Sequence, residues 1–124
     1  MANSDFSVQM NDLLDEVSKR VEGIMKTAIK ETAMETAAKL RNTSPKGSPH
    51  LKKYAEGWKA GKQRGGDYVV HNATNYQLTH LLENGHVVRN KKGTYGRAPA
   101  HKHIKPAEEW ASDELPRRIM EEDI

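Results

Sequence analysis

The sequence predicts an α+β fold, with a long N-terminal helix and short helices packed on a small, mostly antiparallel sheet. Three observations lead there. Residues 4 to about 41 carry apolar side chains at helical spacing and contain no proline. Two short aromatic and β-branched runs flank Gly65-Gly66, as in a hairpin. Two further helical patterns follow, one stopped by Gly85 and one opened by Pro106. At 124 residues the chain fits one domain, with the long helix at 4–41, the sheet and short helices at 50–115, and a flexible tail expected at 116–124.

In the first helix, Met10, Leu14, Val17, Val21, Ile24 and Ala28 alternate steps of four and three. That spacing makes a heptad-like stripe, and Leu14, Val17 and Val21 are its candidate core residues. Asn3 or Ser4 can cap the start, and Gly23 is the expected bend. A straight helix over this span is about 55 Å long. A domain of this size has a radius of gyration of only about 14 Å, so one end should project or the helix should break.

Asn42 to Pro49, NTSPKGSP, is a linker that cannot extend the helix. Lys53–Arg64 and Asp67–Asn72 then read as two strands around the glycine pair. Tyr54, Trp58 and Ala60 share one parity, and Gly57 and Gly61 weaken the first strand. Trp58, Tyr68 and Val70 are the candidate core residues of the sheet. Gln77 to Asn84 carries Leu78, Leu81 and Leu82 at helical spacing, and Gly85 suits a left-handed cap. Val87 to Gly96 reads mostly as loop, with Asn90–Gly93 able to turn between two short strands. His101 and His103 alternate with Lys102 and Ile104 as in an extended strand, which would point both rings the same way. Pro106 suits the first position of the last helix, expected from Pro106 to about Glu114, and Glu108 and Glu109 suit its positive end. Leu82 and Trp110 complete the candidate core. Pro116 should end or kink that helix.

The net charge of +3 conceals three blocks. Residues 1–38 hold four Lys/Arg and seven Asp/Glu, residues 39–105 hold fourteen and three, and residues 106–124 hold two and seven, giving −3, +11 and −5. A basic middle between acidic ends suits an anionic partner or the acidic part of a neighbouring copy. The absence of cysteine removes disulfides and thiolate metal sites. The polar N-terminus is not that of a signal peptide, and no apolar run approaches the roughly 20 residues of a membrane span.

One family resemblance emerges from the second half. Tyr76…Leu82-Glu83-Asn84-Gly85-His86, a Lys/Gly-rich loop, and Pro99…His103-Ile104-Lys105-Pro106-Ala107 follow one another in an order that resembles the small head–tail joining proteins of long-tailed bacteriophages. These are neck or tail-completion proteins, and with the long helix included the resemblance spans most of the chain. It implies a structural virion protein that forms a ring, with six copies favoured by six-fold tail tubes and twelve suggested by the twelve-fold portal. It implies other neck or tail proteins as partners, synthesis in the host cytoplasm, and no catalytic residues. It also places the hand-over from helix to sheet at Asn42–Pro49. Arg89, Lys91, Lys92, Tyr95 and Arg97 are the candidate contacts, either to an acidic ring neighbour or to passing DNA in a sequence-blind way.

Six histidines invite a metal reading, with His80, His86, His101 and His103 as the ligands. No HExxH spacing is present, and Glu83 is the only acid between Asp67 and Glu108, so no metal or cofactor is expected. The alternatives to the structural reading are a small basic nucleic-acid-binding protein and a histidine-dependent nuclease. His71, Asn72, His86, Arg89, Asn90, His101 and His103 include the residue types for general acid–base cleavage. Their order matches no nuclease signature, and no P-loop, GxGxxG or helix-turn-helix pattern occurs.

Overall fold

The computed structural model of the chain describes residues 2–90 and 93–122. Helix α1 spans Ala2–Thr43 without interruption at Gly23. At 1.5 Å per residue it is about 63 Å long. Its buried face is built from small residues, Ala28, Thr32, Ala33, Thr36 and Ala37, and ends on Leu40. Small side chains let neighbouring elements approach the helix axis closely. Helix α4, Ile104–Glu121, starts two residues before the expected Pro106, because Glu83 accepts from the backbone N–H groups of Ile104 and Lys105, and it runs back along this face. Ala107 joins Leu40 in the core, and Arg118 reaches Glu31 at 3.8 Å and also bonds Glu35.

Two expectations fail along these helices. Leu14 and Val17 are not core residues; they are 59% and 50% exposed. Val21 is only half-buried. The reason is reach: α4 ends beside Arg20 and Gly23, and every residue from Val8 to Arg20 is exposed. Pro116 does not stop α4, and residues 116–121 continue the helix in place of a tail. Proline removes one helical hydrogen bond, and Arg118, held by Glu114 at 2.9 Å and by α1, fixes the turn that follows.

The segment after α1 holds the other correction. Lys53–Glu56 is not strand. Helix α2 spans Pro49–Glu56, with Pro49 in its first turn and Ser48 as its cap, the Ser48 hydroxyl accepting from Leu51 N at 3.2 Å. Leu51, Tyr54, Ala55 and Trp58 lie at i, i+3, i+4 and i+7, so the helical period competes with strand parity. Tyr54 and Ala55 are fully buried as a result. Gly57 ends the helix, and a Cβ there would lie 2.1 Å from Thr74 Oγ1.

Strand β1, Trp58–Lys62, pairs antiparallel with β2, Tyr68–Asn72, placing Trp58 opposite Asn72 and Lys62 opposite Tyr68. Gly65 and Gly66 turn between them at φ 80° and 89°. A one-turn 3-10 segment at Tyr76–Leu78 leads into α3, Thr79–Asn84. Gly85 has the expected positive φ, 74°, but ψ 172° makes it an extended glycine and not a left-handed cap. Strands β3, His86–Asn90, and β4, Gly93–Ala98, form a second antiparallel hairpin with an irregularity at Val88, where the sequence suggested mostly loop. The strands thus form two separate two-stranded sheets.

The core is small. Leu40, Tyr54, Trp58 and Ala107 form it, with Val70, Leu78, Leu82 and Ile104 packed partly buried around them. Tyr54 and Trp58 meet edge to face at 5.7 Å. Tyr68 is half-buried beside this cluster. Trp110 is also half-buried, with Lys39 Nζ 4.6 Å from the ring centre.

Candidate functional site

A buried polar constellation sits where α3, α2 and the start of α4 converge. The first N–H groups of a helix have no partner inside it. In α4 those of His103, Ile104 and Lys105 all point to the Glu83 carboxylate, at 2.9, 2.8 and 3.0 Å. The next residue is Pro106, which has no N–H to satisfy. One carboxylate from α3 therefore completes the whole first turn of α4. Glu108 and Glu109, expected to serve this end, lie on the exposed side.

His103 extends the network. It is buried, and its Nδ1 lies 2.5 Å from the His101 carbonyl and 3.1 Å from Glu83 Oε1. Neither oxygen can donate while Glu83 is ionised, so Nδ1 carries the proton. In the neutral ring Nε2 then accepts from the Tyr54 hydroxyl at 2.8 Å. Burial pushes the Glu83 carboxyl up, but three backbone N–H groups and His103 pull it down further, to below the ordinary carboxylate value. Burial and then the Glu83 charge push the Tyr54 hydroxyl up to about 12. Both carboxylate oxygens and both ring nitrogens are engaged. The constellation is a clasp that ties α2, α3 and the start of α4 together.

A second buried amide supports it. Asn72 donates to Tyr54 O at 2.7 Å, and its Oδ1 accepts from Thr74 N at 3.2 Å and Asn75 N at 2.8 Å. At the far end of the core, Trp58 Nε1 donates to Ser44 Oγ at 2.9 Å, and Arg41 bonds Trp58 O at 2.6 Å.

The remaining histidines do not gather. His101 is exposed and His103 buried, so the two do not face one way as a strand would place them. Residues 99–103 are irregular, which removes the alternation. His71 and His80 are exposed, and His86 is half-buried. Among the described residues no group of three or more His, Asp or Glu could hold a metal ion. Among them, too, no helix is long and apolar enough to cross a membrane.

Two surfaces stand uncovered. One is the N-terminal half of α1, which exposes Val8, Met10, Leu13, Leu14 and Val17 beside Asp12, Asp15 and Glu16. The other is the β3–β4 arm, where Val87 and Val88 are exposed and Val87 lies opposite the exposed Arg97. Of the other candidate contacts, Lys91 and Lys92 lie outside the described residues, as do the side chains of Arg89 and Tyr95. Among the described residues the arm packs extensively only on itself, and an isolated two-stranded hairpin is marginally stable. Amide exchange in β3 and β4 is therefore expected near the rate of an unprotected chain, while the Tyr54 and Ala55 amides exchange slowly. Slow exchange throughout the arm in the free protein would show that it is packed against the body.

Residues 9–85 match the HK97-gp10-like family, described as "Bacteriophage HK97-gp10, putative tail-component". The chain belongs to this phage family. Comparisons with curated proteins and with solved structures gave no significant match. The matched span of this tail component runs from α1 through α3 to Gly85. It thus includes Tyr54 and Glu83 of the clasp, and His103 and the arm lie beyond it.

Proposed function

We propose that this tail component is a structural subunit of a ring at the phage neck or tail top, joining head to tail in the virion. The observation that carries the reading is the uncovered apolar row on α1. Four of the exposed apolar side chains, Met10, Leu13, Leu14 and Val17, share one face of the helix within eight residues and suit burial against another subunit. The arm of a neighbouring copy is the natural counter-surface. It offers Val87 and Val88 for apolar contact and Arg97 for Glu16, the acid that flanks that face of α1. Exposed ion pairs contribute only about 0–1 kcal/mol each, so the apolar pairs would hold such a contact and the charges would set its orientation. A heterologous contact of this kind closes into a ring when its rotation permits. Six copies would match the tail tube and twelve the portal, with other neck or tail proteins above and below. The role needs no turnover.

The test pairs mass with function. Light scattering after size exclusion, over a concentration series, should show ring-sized assemblies of the wild type alone or with its tail partners. A Leu14→Asp, Val17→Asp variant should fold, remain monomeric, and fail to complement a phage lacking this gene. Wild-type titres from that variant would remove the α1 face from the assembly.

A further inference from the structure

A cleft of about 680 Å³ lies between α1 and the tip of the β1–β2 hairpin. Lys26 and Lys30, one helical turn apart, form one wall, and Lys62 and Arg64 form the other. Strand alternation accounts for Lys62: it shares a face with Trp58 and Ala60, and that face lies against α1. The Gly65-Gly66 turn lets the hairpin tip come close. A Cβ on Gly66 would meet the Lys26 stem at 3.6–4.0 Å, so the lysine lies along the turn. Glu22 is the one acid lining the cleft, 3.7 Å from Lys26. Among the described residues, Lys30, Lys62 and Arg64 have no carboxylate within 4.0 Å. Four cations thus converge on a space holding one carboxylate.

We infer that this cleft binds the phosphate backbone of duplex DNA without reading sequence. Phosphate contact needs only cations that can reach, because affinity comes from counterion release. Docking of an acidic polypeptide would also need a buried apolar anchor. Here the only aromatic or aliphatic side chain is the half-buried ring of Tyr68, and the other lining residues are Thr27, Gln63 and the glycines. The inference does not depend on ring formation, since a monomer carries the whole cleft.

The experiment is anisotropy of a short labelled duplex of arbitrary sequence, titrated with the full chain between about 50 and 200 mM salt. With about 0.9 per phosphate, four contacts give a log–log salt slope near −3.6. Lys62→Ala with Arg64→Ala should reduce the slope by about 1.8, with an unchanged thermal melt. Lys30→Gln should reduce it by about 0.9. Lys59→Ala, on the opposite face of β1, should leave it unchanged. Undiminished slopes in the cleft variants, no binding at low salt, or tighter capture of a peptide spanning residues 8–22 than of the duplex would overturn the inference.

Discussion

Replacing Glu83 by Ala should destabilise the domain by at least about 3 kcal/mol, since each of three N–H groups left without an acceptor costs about 1–3 kcal/mol. A single-domain protein has only about 5–15 kcal/mol in total, so this variant should be mostly unfolded well below the wild-type melting temperature. Three helix N–H groups would lose their acceptor together, and His103 would lose one of its two oxygen partners. Glu83→Gln keeps the shape and one acceptor. It should cost less, about 1.5–3 kcal/mol, the usual worth of hydrogen bonds to a charged group. Urea titrations across pH separate the contributions. The unfolded carboxyl takes up a proton near its ordinary value of 4.5, and the native one only at lower pH. The stabilisation is therefore full above about pH 4.5 and is lost as pH falls through the native value. The gap between wild type and Glu83→Gln should narrow over that acid range. A gap that stays constant down to the acid transition would show that the carboxylate charge does not hold the helix.

Trp58→Ala should cost about 3–5 kcal/mol, as other emptied aromatic core sites do. Trp58 is 4% exposed and touches both Tyr54 and the base of α1. Its indole N–H also holds Ser44, whose hydroxyl and amide both return to Leu40 O. Trp58→Phe keeps much of the ring area but removes the indole donor to the Ser44 hydroxyl, so it should cost an intermediate amount. Trp110→Ala should cost clearly less than Trp58→Ala, because its ring is half-exposed under Lys39. Chemical denaturation of the three variants ranks them, and equal losses at Trp58 and Trp110 would show that the core extends beyond the cluster described.

The fold class was legible because periodicity is a local signal. The glycine pair at 65–66 announced a hairpin through backbone freedom alone. The heptad-like stripe announced α1, and the structure then divided that stripe. Ala28 is covered by α4, while Leu14 and Val17 face outward. Sequence spacing fixes a face, but coverage depends on where another element ends, which no local pattern encodes. Helix α2 was missed because Tyr54, Trp58 and Ala60 also satisfy a strand period. The Ser48-Pro49 cap was the signal that could have decided it. The clasp was present in the motifs as Leu82-Glu83-Asn84-Gly85 and His103-Ile104-Lys105-Pro106. Its chemistry was not readable there, because Glu83 acts 20 residues away on groups of the main chain. Pro116 shows the converse, a local stop signal overridden by the ion pairs of Arg118.

The arm leaves the body at Gly85 and returns by His101, and both points are tied down. His101 N donates to Leu82 O at 2.7 Å, and Lys102 reaches Asn84 Oδ1 at 3.0 Å. A Cβ on Gly85 would lie 2.7 Å from Ala98 O, so the two crossings nearly touch. The clasp on Glu83 then locks the returning chain two residues later. A segment whose ends are already joined behaves as a closed loop. Doubling its length adds only about 0.6 kcal/mol of closure entropy. The body therefore does not dictate how far the arm extends. Its length and charge can change while the clasp and core beneath stay the same.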